Sequence, residues 1–106
     1  MDRTQERAID RMLEQIGEAV ELLQHEEMDV ELASGKLVID CGNGVKLIVS
    51  RQSATSQIWL AEPGGGWHFD LKDGAWVDDK RGVELVGELE RLLSEQLGMA
   101  VDLNHA

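Results

Sequence analysis

Seven carboxylates follow one another through the first third of the chain: Glu14, Glu18 and Glu21, then Glu26, Glu27, Asp29 and Glu31. Carboxylate oxygens are hard ligands that suit ferrous, ferric, manganous and calcium ions, and a cation needs several of them converging. Glu14, Glu18 and Glu21 are spaced by four and three residues, so on one helix they share a face. They can offer two or three oxygens there, with water completing the shell. Such a site is exposed, weak and poorly selective. A solvated helix face is the usual meaning of a charge run. Two features argue for more: the acids continue past the helix, and from Glu14 onward the helix holds no base. His25 follows directly and can add an imidazole, although a solvated histidine is the commoner outcome at a helix end. His105 is given no role.

A second set of polar groups lies in the middle of the chain. In Gln57-Ile58-Trp59-Leu60, strand periodicity puts Gln57 and Trp59 on one face and Ile58 and Leu60 on the other. If the aliphatic pair is core, an indole stands on the open face, and tryptophan is enriched at binding hot spots. His68 lies between Trp67 and Phe69 and joins Trp59 if Phe69 is core. Gln52, Gln57, Trp59 and His68 are therefore the candidates for a partner-binding patch. The bland alternative is that Trp59 only shields backbone hydrogen bonds. On the binding reading, Trp59→Ala leaves the melting temperature nearly unchanged. Trp76 and Phe69 read as packing residues.

These groups need elements to hold them. Ile9, Met12, Leu13, Ile16, Val20 and Leu23 recur at three and four residues, which predicts a helix over 4–24 with one buried stripe. Short alternating stretches follow at 28–33, 36–41, 45–50, 57–62, 67–71 and 75–78. They are separated by Ser34-Gly35, Gly42-Asn43-Gly44, Pro63 to Gly66 and Asp73-Gly74. Short connections of this kind imply an antiparallel meander. Leu85, Val86, Leu89, Leu92, Leu93 and Leu97 mark a closing helix over 83–97, with Gly98 placed to end it. The expected fold class is α+β, a two-layer α/β sandwich. Its two terminal helices pack on one face of an antiparallel sheet of about six strands, and residues 1–106 form a single domain.

Composition narrows the function. The net charge is −11, and residues 1–31 carry ten acids against Arg3, Arg7 and Arg11. Such a surface repels nucleic-acid phosphate and anionic lipid, leaving cations and basic protein surfaces as partners. No apolar run approaches a membrane span, and the N-terminal residues resemble neither a signal nor a transit peptide, so a cytoplasmic location is expected. The single cysteine, Cys41, forms no internal disulfide and sits in register with Leu37 and Ile39 as a small core residue. Pro63-Gly64-Gly65-Gly66 lacks the Lys-Ser/Thr of a phosphate loop. A helical ferroxidase uses paired Glu-x-x-His motifs, whereas the residue three before His25 is Leu22.

Arg51-Gln52, the Gln57 to Leu60 run and the Phe69-Asp70 pair, with Trp76 in a late strand, resemble the signature strands of the frataxin family in its bacterial branch. The order of elements resembles that family over nearly the whole chain. Ser50 and Ala54 depart from it, standing where the family usually has an amide and a proline. The resemblance implies iron held by acids of the first helix and strand. It also implies docking of the sheet face on an iron–sulfur scaffold protein and its cysteine desulfurase, and regulation of cluster assembly without catalysis. The expectation is a monomer that oligomerises when iron screens its acids. Two rivals stand beside it: an iron-independent acidic interaction module, and a weak ferroxidase or iron-storage protein.

Overall fold

The computed structural model describes residues 2–103, so His105 lies outside the described residues. Helix α1 (Arg3–Glu21) opens on Asp2, whose carboxylate accepts from the Gln5 backbone N–H at 2.8 Å and so satisfies a donor the helix cannot. Six strands follow: β1 (Asp29–Ala33), β2 (Lys36–Asp40), β3 (Lys46–Gln52), β4 (Gln57–Glu62), β5 (Gly65–Lys72) and β6 (Ala75–Asp78). Helix α2 (Leu85–Leu97) closes the fold. The strands form one antiparallel sheet in sequence order, as the meander signals predict. Among the described residues no helix is long and apolar enough to cross a membrane.

Two hairpins show how the local sequence fixes register. Ser34-Gly35 and Asp73-Gly74 are two-residue turns with positive φ at both positions (52° and 74°, 50° and 84°). That geometry matches the twist of the flanking strands. The resulting pairings, Ala33 with Lys36 and Lys72 with Ala75, leave no slack for slippage.

One face of the sheet is core. Leu37, Ile39, Leu47, Val49, Ile58, Leu60, Phe69 and Trp76 are buried beneath Ile9, Leu13, Ile16 and Val20 of α1 and Leu85, Leu89, Leu92 and Leu93 of α2. Helix α1 comes close enough to β2 that a Cβ on Gly17 would lie 3.3 Å from Leu37 Cδ1. Cys41 is buried on the same side, and burial, with Asp40 adding a smaller effect, pushes its thiol above the ordinary value. This matches its reading as a core residue.

Several boundaries differ from expectation. Helix α1 ends at Glu21, three residues early, because 22–24 tighten into turns. Strand β3 runs on to Gln52, since Arg51 and Gln52 pair with Ile58 and Gln57. Helix α2 starts at Leu85 because Glu84 stays extended and caps it, accepting from the N–H groups of Val86 and Gly87 at 3.1 and 3.2 Å. Gly98 ends α2 in the left-handed conformation, as its position predicts. Beyond it Val101 and Leu103 are buried, tied to α2 through Ser94 Oγ (3.0 Å) and Glu90 Oε2 (2.7 Å).

The β6–α2 connection is built on Asp78. Its buried carboxylate accepts backbone N–H groups of His68, Lys80 and Arg81 at 3.2, 3.0 and 2.6 Å. Burial by itself pushes this carboxyl up. The three hydrogen bonds and the Arg81 charge outweigh it and hold the group below the usual carboxylate value. A depressed folded-state pKa adds stability that is full above about pH 4 and is lost as pH falls below it. In Asp78→Asn an amide N–H would face the His68 N–H. We expect that variant to lose about 1–3 kcal/mol at pH 7. Its urea midpoint should also fall less than that of the unaltered protein between about pH 4 and pH 2.

Candidate functional site

The acidic ridge forms where α1 passes over β1. Glu14, Glu18 and Glu21 border a groove of about 150 Å³ floored by Gly17, Val30 and Leu32. Glu21 also borders a neighbouring groove with His25 and Asp29. Glu14, Glu18 and Glu21 thus share one border, and Glu21 carries it on to the start of β1. Glu26 and Glu27 lie exposed in the turn between α1 and β1 and line neither groove. Asp29 and Glu31 alternate with Val30 and Leu32, which floor the groove, and so both take the opposite face of the sheet, Asp29 meeting the ridge only where β1 begins.

None of the seven acids makes an ion pair with a base among the described residues; Asp29 accepts only the neighbouring Val30 N–H. The last turn of α1 contains no base, so Glu18 and Glu21 stand unneutralised at the negative end of the helix dipole. Among the described residues no three acid, histidine or cysteine side chains are grouped to hold a metal ion. The ridge offers carboxylates in a row, not a cage. Nδ1 of His25 is shielded from solvent and has no hydrogen-bond partner among the described residues.

Arg51 bears on this electrostatics, and its reach across the fold is not visible in sequence. From β3 its guanidinium reaches Asp10 at 2.5 Å and Glu6 at 3.7 Å on α1. It passes over Gly35, where a Cβ would meet it at 2.9 Å. The N-terminal acids of the helix are thereby paired, and the uncompensated charge begins at Glu14.

The open sheet face carries a connected polar cluster. Trp59 and His68 are cross-strand partners on β4 and β5, and their rings stack at 4.1 Å between centroids with planes 13° apart. The Trp59 indole N–H donates to Gln57 Oε1 at 2.9 Å. Gln57 Nε2 donates to Asp70 Oδ1 and Asp79 Oδ2, each at 3.0 Å. These partners fix which way the amide points, because only its oxygen can accept and only its nitrogen can donate. Gln57 is consequently buried, at 8 % exposure, and not a freely exposed group as its alternation suggested. The cluster covers it. Gln52 donates to Ser50 Oγ at 3.1 Å, beside the Trp59 position. The four candidates thus occupy one face, with Trp59 and His68 as its half-exposed surface and Gln57 as its support.

A two-layer sandwich with an acidic first helix and an aromatic open sheet face defines the class to which this chain is similar. A family model described as a frataxin-like domain matches residues 1–99. An iron-sulfur cluster assembly protein CyaY of Tolumonas auensis is 42% identical over 77 residues, covering 73% of this chain and 74% of that protein. The chain belongs to the frataxin family. Frataxin from Psychromonas ingrahamii superposes with a TM-score of 0.82 at 31% identity, over 89% of each chain. Trimeric frataxin from the yeast Saccharomyces cerevisiae, complexed with ferrous iron, gives a TM-score of 0.73 at 26% identity, over 92% of this chain and 88% of the other.

The stack and the indole hydrogen bond give Trp59 a share in holding the sheet face together. The sequence alone suggested a nearly unchanged melting temperature for Trp59→Ala. The structure leads us to expect a loss of about 1–2 kcal/mol, from the aromatic pair and the N–H bond together. Phe69→Ala, in the core, should cost about 3–5 kcal/mol. Urea denaturation of both variants checks this, and equal losses would place Trp59 in the core.

Proposed function

We propose that this frataxin-family protein is an iron-binding accessory factor in iron–sulfur cluster assembly. It docks on a cysteine desulfurase–scaffold complex in the cytoplasm and regulates the rate of sulfur transfer. The observation that carries this reading is the run of carboxylates from Glu14 to Glu31 with no ion-pair partner among the described residues. Carboxylates that stabilise this fold accept hydrogen bonds from the backbone, as Asp2, Asp78 and Glu84 do, or pair with an arginine, as Asp10 does. Glu14, Glu18 and Glu21 stand along a groove instead, the last two at the negative end of the helix dipole.

Iron is cargo or effector here, not a resident cofactor. Glu14, Glu18 and Glu21 supply the oxygens, with water completing the shell. Glu26, Glu27, Asp29 and Glu31 raise the local negative potential and concentrate the cation. Because no three ligands are preassembled, binding is weak and its stoichiometry follows the iron supply. The same negative field orients the protein against basic surface on the desulfurase, and the Trp59–His68 platform provides desolvated contact area on the sheet face. No step in this role makes or breaks a bond on this chain, so the protein acts without being an enzyme. A ferroxidase would consume oxygen beyond the number of bound ions.

The lack of a preassembled ligand group favours one second reading, an acidic interaction module that binds its partners without iron. One titration separates the two. Ferrous iron added without oxygen to isotopically labelled protein should shift or broaden backbone amides of about residues 14–31, at concentrations up to about 1 mM. Glu14→Gln/Glu18→Gln/Glu21→Gln/Asp29→Asn should abolish those changes while the fold persists. Silence across that segment in the unaltered protein would leave the iron-free module, and a pull-down of a purified desulfurase by the unaltered protein and by Trp59→Ala would then test the docking face alone.

A further inference from the structure

Although the chain is acidic, one groove has basic and apolar walls and no carboxylate. It lies between α1 and the β5–β6 hairpin, with a volume of about 440 Å³. Arg7 and Arg11 line one wall; Leu71 and Trp76 line the other, with Ala8 and Met12 between them. Trp76 is a fixed floor at 6% exposure, whereas Leu71 is 49% exposed. Neither arginine makes an ion pair among the described residues. Asp10, within one helical turn of both, is already paired with Arg51. Arg3 continues the row at the same spacing of four. Cations in the N-terminal half of a helix oppose its dipole, so helix stability does not account for the row.

We propose that this groove docks an extended acidic segment of a partner protein, with acids at alternate positions and an apolar residue between them. The match is geometric. Arg7 and Arg11 stand one turn apart, with Cβ atoms about 5–6 Å from each other. In an extended chain residues i and i+2 lie on one side, roughly 7 Å apart, and i+1 points the other way. A segment lying along the groove therefore turns its two carboxylates to the guanidinium forks and its middle side chain to Leu71 and Trp76. Arginine suits this pairing because its fork grips a carboxylate with two parallel hydrogen bonds. Glu14, three residues after Arg11, is the one ridge acid near this groove; from Glu18 onward the ridge lies roughly 10 Å or more along the helix and is largely screened at physiological salt, where the Debye length is about 8 Å, so the two local cations decide the sign. The exposed Leu71 makes the groove a docking surface, and a small metabolite would lack enclosing walls there. This surface is separate from both the acidic ridge and the open sheet face, and the proposal stands whatever becomes of the iron reading.

The test is a fluorescein-labelled peptide of alternating glutamate and leucine, read by anisotropy and by amide shifts of the labelled protein. Saturable binding near 0.1 mM, roughly, is expected, with shifts at residues 7–15, 71 and 76. Arg7→Glu/Arg11→Glu should weaken it by about tenfold or more. The fold should survive, since acids suit that half of the helix; the melting curve checks it. Leu71→Ser should weaken binding without a change in melting. Lys36→Glu/Lys80→Glu makes the same change in net charge away from the groove and should leave binding intact. Equal loss in that control would reduce the effect to bulk charge and overturn the proposal. So would equal affinity for a peptide with serine in place of leucine. Shifts of the same amides on raising protein concentration without peptide would assign the groove to a second copy of the chain and also overturn it.

Discussion

Helix α1 carries charge that its own backbone does not favour. Arginines stand among the acids of its positive end and unneutralised glutamates occupy its negative end, so side-chain electrostatics gain little at the first terminus beyond the Asp2 cap and work against the helix at the second. What holds it is the stripe Ile9, Leu13, Ile16 and Val20, buried against Leu37, Ile39, Leu47 and Val49 of the sheet. Each fully buried side chain of this type contributes about 1.5–3 kcal/mol, against about 0.3–1 kcal/mol for each misplaced charge. Packing therefore wins with a wide margin, and the exposed faces of the helix are free to carry whatever charge function requires. The acidic groove on one side and the basic groove on the other are both consequences of that surplus.

The sheet divides its labour in the same manner. Its inner face is a continuous aliphatic and aromatic core. Its outer face spends polar groups on one another: Gln57 joins Trp59 to Asp70 and Asp79 across three elements. A buried amide that satisfies two carboxylates and an indole sets where the Trp59–His68 platform stands and how its rings are oriented. A platform fixed in advance loses little rotamer freedom on meeting a partner, so more of its contact area counts toward affinity.

Most of the architecture was legible because the apolar spacings are clean. Ile9 to Val20 at helical steps, Ile58 and Leu60 at strand steps, and the Ser34-Gly35 and Asp73-Gly74 turns each dictate one outcome, and the fold follows from their order. The failures have a common cause, contact between residues distant in sequence. Gln57 alternates as an exposed residue would, yet Asp70 and Asp79 close over it. Nothing local announces the reach of Arg51 to Asp10, 41 residues away. Val101 and Leu103 have no periodicity to announce them and are buried by docking on α2. Among the candidate acids, Glu14, Glu18 and Glu21 border one groove as their helical spacing implies, whereas strand alternation sends Asp29 and Glu31 to the other side of the sheet.

The two edges of the sheet are protected by different means. At β6 the edge is partly closed by the chain itself, through a bridge between Val77 and Glu84. At β1 nothing among the described residues pairs with the outer edge. An open edge is a template for another strand, and inserted charge is a common safeguard against that. Asp29 and Glu31 supply it here, in a strand whose residues are mostly exposed. The safeguard is electrostatic and thus only as strong as the uncancelled charge upon it. Neutralising those carboxylates would therefore remove the charge that guards this edge against pairing with another strand.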